Sequence, residues 1–289
     1  MSASIKPTFD PEKLLQFRIP EVRQQWSLKD TAFYALSVGM AQDPMDRRQL
    51  RYVSAEPDMA TMPSMAVVMA HPGFWLGNPE TTVDPSRVLH GEQEIVLARP
   101  LPAAANIRSN TKILSLVDKG PGKAAILYTE KQVFNEDNEE LIAKAINTTF
   151  LRGLGGFGGE GIPPTQVHQM PSVASQGEIE LQTRSEQALF YRLNGDYNIL
   201  HSDPEFAKKS GFERPILHGL CTFGVICRAL LKRLADFQSE RLNAMKLRFS
   251  APVYPGESIR VETWSDGSFR AYAAGRGILV ADCGYASIE

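Results

Sequence analysis

Between residues 218 and 237 the chain reads HGLCTFGVICRALLKRLADF, with apolar side chains recurring every three and four positions. Leu220, Phe223, Cys227, Leu230, Leu231 and Leu234 fall on one side, the spacing of an amphipathic helix. Val225 and Ile226 carry the apolar character nearly all round, so one long, deeply buried helix is expected over 218–237. Strand-like runs follow it: MKLRFSAPVY, SIRVETWSD, FRAYAAGRG and ILVADCGYASI, separated by Pro-Gly, Asp-Gly and Arg-Gly signals typical of antiparallel connections. The first half repeats this order more weakly. PSMAVVMAHPGF is a shorter helix candidate broken at Pro72-Gly73, and LHGEQEIVLARPLP, NIRSNTKILSLVDKG and KAAILYTEKQVFN read as strands. IVLARPLP then NIRSNTKILSL echoes LRFSAPVYPG then SIRVETW. Two copies of a helix wrapped by an antiparallel sheet, an α+β architecture, are expected.

Between the halves lies RGLGGFGGEG, residues 152–161, with six glycines in ten residues. Such a run cannot form a helix or strand interior. No lysine-serine pair follows it, as a phosphate loop would need. It divides the chain into 1–151, a linker over 152–178, and 179–289. A length of 289 residues suits one large domain or two modest ones. With 43% hydrophobic and 22% charged residues the mixture is that of a globular protein. The net charge is −2 and the basic residues are scattered, which speaks against a nucleic-acid groove. Cys221, Cys227 and Cys283 fit no metal pattern and read as reduced core thiols. The start, MSASIKPTFDPEKLLQF, has no leader-like apolar core, no run reaches the ~20 apolar residues of a membrane span, and YASIE is not an SKL-type peroxisomal address. A cytoplasmic protein with neither membrane nor nucleic acid as partner is expected.

The candidate chemistry sits in RLNGDYNILHSDPEFA, residues 192–207, where Asp196, Asn198 and His201 crowd into six residues. Asp and Asn are common turn residues, and Asp203-Pro204 reads as a helix N-cap followed by proline at the first helical position. An imidazole is not needed to turn a corner, so the three together call for another explanation.

YRLNGDYNILHSDPEFAKKSGFERPILHGLCTFG resembles the hydratase-2 signature of the MaoC-like dehydratase family. The resemblance extends to LHGEQEIVLARPLP, LVDKG, FLRGLGGFGG and LRFSAPVYPGE, hence over most of the chain from about Ala32 onward. It is strongest to the two-domain (R)-specific 2-enoyl-CoA hydratases, including the hydratase part of peroxisomal multifunctional enzymes. It implies a double hot dog fold, two sheet-wrapped helices side by side, and a homodimer. It also implies a hydro-lyase acting on an acyl-CoA thioester with no metal or other cofactor. The family's D-x-N-P-L-H box falls on Asp196, Asn198, Leu200 and His201, with Ile199 in place of the usual proline. By the same resemblance Gly219 donates to the thioester oxygen, and His90, Gly91, Lys119 and Phe249 contact the CoA ester, as Asn198 and Gly219 also do.

Hydration of a conjugated thioester needs a positioned water, a proton delivered to Cα, and stabilisation of the enolate-like oxygen. Asp196 and His201 suit the first two tasks, and Asn198 can orient without titrating. The unpaired amides at the start of the long helix, near Gly219, suit the third. His218 reads as a helix-cap residue. Read from the residues alone, Lys119 is equally an exposed hairpin lysine and Phe249 equally a core residue. A hot-dog thioesterase and a catalytically silent acyl-CoA-binding protein are the rival readings.

Overall fold

A computed structural model describes residues 9–159, 161–164 and 166–289. Residues 1–8 of the N-terminal stretch, Glu160 of the glycine-rich segment and Thr165 therefore lie outside the described residues. The described residues form ten strands, seven from the runs named above and three, β1, β5 and β6, that the sequence reading did not name: β1 (Val22–Trp26), β2 (Val88–Leu97), β3 (Ala105–Asp118), β4 (Ala125–Asn135), β5 (Leu141–Leu151), β6 (Gly177–Gln182), β7 (Leu242–Phe249), β8 (Ser258–Thr263), β9 (Ser268–Ala273) and β10 (Ile278–Ile288). All pairings are antiparallel, in the order β1-β3-β4-β5-β2-β7-β10-β9-β8-β6.

The sheets of the two halves are thus one sheet, joined where β2 meets β7. Its register sets Glu92 opposite Arg248 and Glu94 opposite Lys246, while Gln93 faces Leu247 and Ile95 faces Met245. The first two pairs are of opposite charge, and Arg248 Nε donates to Glu92 Oε1 at 2.7 Å. Gln93, Leu247, Ile95 and Met245 are buried. Charge complementarity on one face and apolar burial on the other both select this register.

The long helix spans Gly219–Leu234, and eleven of its residues are buried. It ends three residues earlier than the periodicity predicts. Asp236 and Phe237 adopt positive φ, and the Phe237 N–H donates back to the Leu231 carbonyl at 2.9 Å, closing the helix end. Its counterpart in the first half is a 3₁₀ turn of five residues, Pro63–Val67, all buried. A second helix of the first half, Leu28–Ser37, carries no strong sequence signal and is opened by a capping box between Ser27 and Asp30. Its C-terminal end crosses the long helix at Gly224, where a Cβ would lie 2.4 Å from Val38 Cγ1. Tyr52 of the first half donates to the Phe237 carbonyl at 2.7 Å, and Asn194 Nδ2 donates to Ser37 Oγ at 2.9 Å. Cys221 and Cys227 are buried free thiols as expected, whereas Cys283 is half-buried, at positive φ in the irregular part of β10.

Gly224→Ala should destabilise the protein despite alanine's better helix propensity, because its methyl has no room against Val38. Overpacking of this kind costs about 1–3 kcal/mol. Urea unfolding, followed at the midpoint, measures it.

Candidate active site

The helical segment Gln187–Tyr191 runs into a 3₁₀ turn, Arg192–Asn194, that ends on Gly195 at φ +111°. That left-handed conformation suits glycine and turns the chain so that Asp196 starts a new loop. Asp196 Oδ1 accepts from the Asn198 N–H at 3.2 Å, and Asn198 Oδ1 accepts from the Leu200 N–H at 3.0 Å. The second bond caps the 3₁₀ turn Ile199–His201. Asn198 Oδ1 is therefore committed to the backbone. This cap restrains the loop at Ile199, where a proline would have restrained φ. Asp203 then caps the helix Pro204–Lys209, its Oδ1 accepting from the Phe206 N–H at 2.9 Å, as the Asp-Pro pair predicts.

His201 and His218 stack with ring centroids 3.7 Å apart. Each imidazole has one nitrogen on a backbone carbonyl: His201 Nδ1 on Ile216 at 2.9 Å and His218 Nε2 on Asp196 at 3.2 Å. A carbonyl only accepts, so each of these nitrogens must carry the proton. Nε2 of His201 and Nδ1 of His218 are left with free lone pairs. Nδ1 of His218 is buried and without a partner. His218 stands at the N-cap position of the long helix, yet its side chain makes no capping bond. The side chain is instead a stacking partner of His201 and a tie to the Asp196 backbone, which the sequence reading as a cap missed. Only its place three residues before a buried helix interior could have suggested a buried ring.

Burial sets the protonation of these rings. Desolvation lowers the His201 pKa below its ordinary 6.5, opposed by the Ile216 carbonyl and the Asp196 charge. The same cause, with repulsion from His201, pushes His218 down to about 3. His90, on β2, is held down to about 4 by desolvation. The Asp196 side chain is exposed and its charge is felt by His90, His201 and His218 alike, so the four groups share one electrostatic neighbourhood.

His90 meets the Phe249 ring edge-on at 5.1 Å, and Phe249 lies 3.5–3.6 Å from where a Cβ on Gly219 would be. The structure thus gathers Asp196, His201, Gly219, His90 and Phe249 at the joint between the halves. Gly91 is buried at a bulge in β2, and a Cβ there would come 2.1 Å from the Phe150 ring, so packing alone demands glycine. Lys119 stands apart, exposed on the β3–β4 hairpin. His71, passed over in the sequence, joins the group electrostatically: it feels Asp196 and His90, and desolvation takes its pKa down to about 4. The residue is exposed. Its Nδ1 accepts from the Gly73 N–H at 3.1 Å.

Donor atoms of Asp196, His201 and His218 lie within 4.8 Å of one another, the one group among the described residues that could gather on a metal ion. No helix among them is long and apolar enough to cross a membrane.

One antiparallel sheet wrapped around a buried helix in one half and a helical turn in the other, with the site at their joint, defines a MaoC-like double hot dog protein. Residues 167–277 match the MaoC like domain, and residues 25–153 match the MFE-2 hydratase 2 N-terminal domain. The chain belongs to the two-domain hydratase 2 family of MaoC-like proteins. It is 37% identical over 279 residues to "Enoyl-CoA hydratase 2, peroxisomal" of Arabidopsis thaliana, covering 90% of this chain and 88% of that protein. A MaoC-like dehydratase from Phytophthora capsici superposes with a TM-score of 0.84 at 32% identity, over 97% of this chain and 99% of that one. A Mycobacterium tuberculosis protein described as a double hotdog fold shares the architecture at TM-score 0.55 and 13% identity, over 94% of each chain.

Imidazoles buried neutral bind fewer protons folded than unfolded in acid, so their contribution is present above pH 6.5 and is lost as pH falls. Urea stability should decline from about pH 6.5 toward the folded values near 4 for His90 and 3 for His218. His218→Phe, which keeps a stacking ring and removes the titration, should flatten that decline.

Proposed function

We propose that this protein catalyses the reversible hydration of a trans-2-enoyl-CoA to the (R)-3-hydroxyacyl-CoA, with Asp196 and His201 as the reacting pair. The observation that carries the assignment of roles is the tautomer of His201. Its Nδ1–H is held by the Ile216 carbonyl, so Nε2 keeps a lone pair on a ring that burial keeps neutral, and a nitrogen of that ring lies within 4.8 Å of an Asp196 carboxylate oxygen. That is the state of a base ready to accept a proton.

In this reading the thioester oxygen lies at the N-terminus of the long helix, against Gly219, whose amide precedes the first intrahelical bond. Phe249 and His90 flank it, and the β-carbon faces Asp196 and His201. A water held between the carboxylate and Nε2 gives a proton to His201 as its oxygen bonds to the β-carbon. The π electrons move to the thioester oxygen, where the Gly219 N–H and the positive end of the helix dipole take up the charge. The proton then returns to Cα as the enolate collapses, so one water is added and nothing else is consumed. Asp196 orients the water and offsets the transient imidazolium. Asn198 holds the loop through its cap on Leu200. Lys119 contacts the coenzyme part, and the first half, residues 1–151, houses the acyl tail while 179–289 carries the chemistry. A homodimer is part of the same reading, supported by the exposed Leu193, Tyr197 and Ile199 beside the site, which a second copy would cover. Cytoplasmic residence, the expectation from the sequence, stays with it; the Arabidopsis relative is named as peroxisomal.

An enoyl-CoA followed at its conjugated double bond, with free thiol measured in parallel, tests the reaction. Loss of conjugation without thiol release is expected, and free CoA as main product would instead indicate a thioesterase. Asp196→Asn and His201→Gln should each lower kcat by about 10²–10⁴-fold with little change in CoA affinity. Serving one water, they should not multiply in the double variant. Dialysis against EDTA should leave the rate unchanged, because the reaction as written needs no ion on the Asp196–His201–His218 group. A rate lost to EDTA and restored by a divalent ion would rewrite the mechanism.

A further inference from the structure

The glycine-rich segment is the feature that hydration leaves unused. Asp118 is the last residue of β3, paired with Ala125 at the start of β4. The hairpin between them is closed by Lys119 N–H to Ala124 O at 3.2 Å and Lys123 N–H to Gly120 O at 3.1 Å. Against this hairpin lies the stretch 155–158. Asp118 Oδ1 accepts from the N–H of Gly120 and of Gly156, each at 2.7 Å, and Oδ2 accepts from the N–H of Gly158 at 2.6 Å. The Gly155 N–H donates to the Lys123 carbonyl at 2.9 Å. Amides from Gly158, Gly120 and Gly156 hold the Asp118 carboxyl below its ordinary pKa range.

The approach is close enough to require glycine. A Cβ on Gly155 would lie 2.6 Å from the Gly120 carbonyl and 2.9 Å from Asp118 Oδ1, and one on Gly161 would lie 2.2 Å from the Leu116 carbonyl. Phe157 anchors the stretch by packing on the smaller core cluster of Leu116, Ala125 and Leu127, edge-on to Phe9 at 6.1 Å. The segment expected to be a linker between the halves is, over 155–158, bound to the hairpin through a carboxylate. Asp118 is satisfied by backbone alone, and among the described residues no cation pairs with it. Lys119 and Lys123 beside it are exposed and meet no carboxylate among the described residues.

We infer that Asp118 is a positioning residue: by drawing the glycine-rich segment onto the β3–β4 hairpin it presents the Lys119 ammonium to the phosphorylated end of the coenzyme. The inference rests on the coenzyme contact assigned to Lys119 above. Gly120 and Gly122 both have positive φ, so the turn carries two residues with wide backbone freedom. Restraining it before binding lowers the ordering cost of the complex. The register supports the placement. Asp118 pairs with Ala125, Ala125 with Leu151, and Leu151 with Val88, two residues before His90, so hairpin and site share one end of the sheet. Three strand spacings separate them, about 15 Å, which the long arm of a CoA thioester spans.

Calorimetric titration with free CoA and with pantetheine tests this without relying on hydration. Asp118→Asn sets an amide N–H against the glycine N–H groups. It should weaken CoA about three- to tenfold, leave pantetheine unchanged, and speed hydrogen exchange at Gly156 and Gly158. Lys119→Ala should weaken CoA similarly, and the double variant should be no weaker than Lys119→Ala, since both act through one ammonium. Gly155→Ala, which pushes the segment off the Gly120 carbonyl, should reproduce the selective loss should Asp118→Asn fail to fold. Unchanged CoA affinity in Asp118→Asn beside a weakened Lys119→Ala, equal loss for pantetheine, or additive losses would each overturn the inference. A Lys119→Ala protein with normal CoA affinity would remove both the inference and the Lys119 contact, and leave the hydration assay standing.

Discussion

Burial of the helix Gly219–Leu234 is the constraint on which the rest of the structure depends. A helix apolar nearly all round is stable only when enclosed, and neither half encloses it alone. Its own half wraps it with β6 to β10, while the helix Leu28–Ser37 crosses it at Gly224 and Tyr52 reaches the Phe237 carbonyl from the first half. Even Arg228 is buried in that enclosure, with Nη2 donating to Gln42 across the halves at 3.1 Å. Enclosure brings the helix N-terminus, with its unpaired amides, to the joint. The same packing that stabilises the helix therefore creates a place for developing negative charge.

The joint also accounts for the state of the imidazoles. Asp196, at the surface, keeps contact with water, while His201 and His218 are pressed together with little. Two stacked rings cannot both be charged at small cost, and burial already disfavours either charge. Carbonyls from Ile216 and Asp196 choose the tautomers, and so choose which nitrogen of each ring keeps its lone pair. The chemistry assigned to the site thus follows from backbone positions, which is why the loop carries so many local ties: the Gly195 turn, the Asn198 cap and the Asp203 cap.

The glycine-rich stretch, against the β3–β4 hairpin, shows the same economy. Six glycines in ten residues describe a chain without intrinsic structure, yet Gly155 and Gly161 approach neighbouring carbonyls so closely that a side chain at either would push the segment away. Flexibility of composition and rigidity of placement are compatible, because the ordering comes from the Asp118 carboxylate and the anchoring Phe157 ring.

Local patterns by themselves determined seven of the ten strands, the long buried helix and the Asp203-Pro204 cap, because each depends on neighbours a few residues away, whereas β1, β5 and β6 were not read from the sequence. The spacing of Asp196, Asn198 and His201, with the resemblance it carries, was enough to single out the loop and the reaction class. Tertiary structure decided what depends on distant partners. The first-half helix candidate became a 3₁₀ turn of five residues, and the long helix stopped at Leu234. The two sheets fused through the Glu92–Arg248 register, and Asn198 turned to the backbone. Residue 218 lies 17 positions from 201, and no pattern in the intervening chain announces a stacked ring. Only the folding of the loop against the helix start brings His218 onto His201, because stacking is a property of two surfaces and not of either segment.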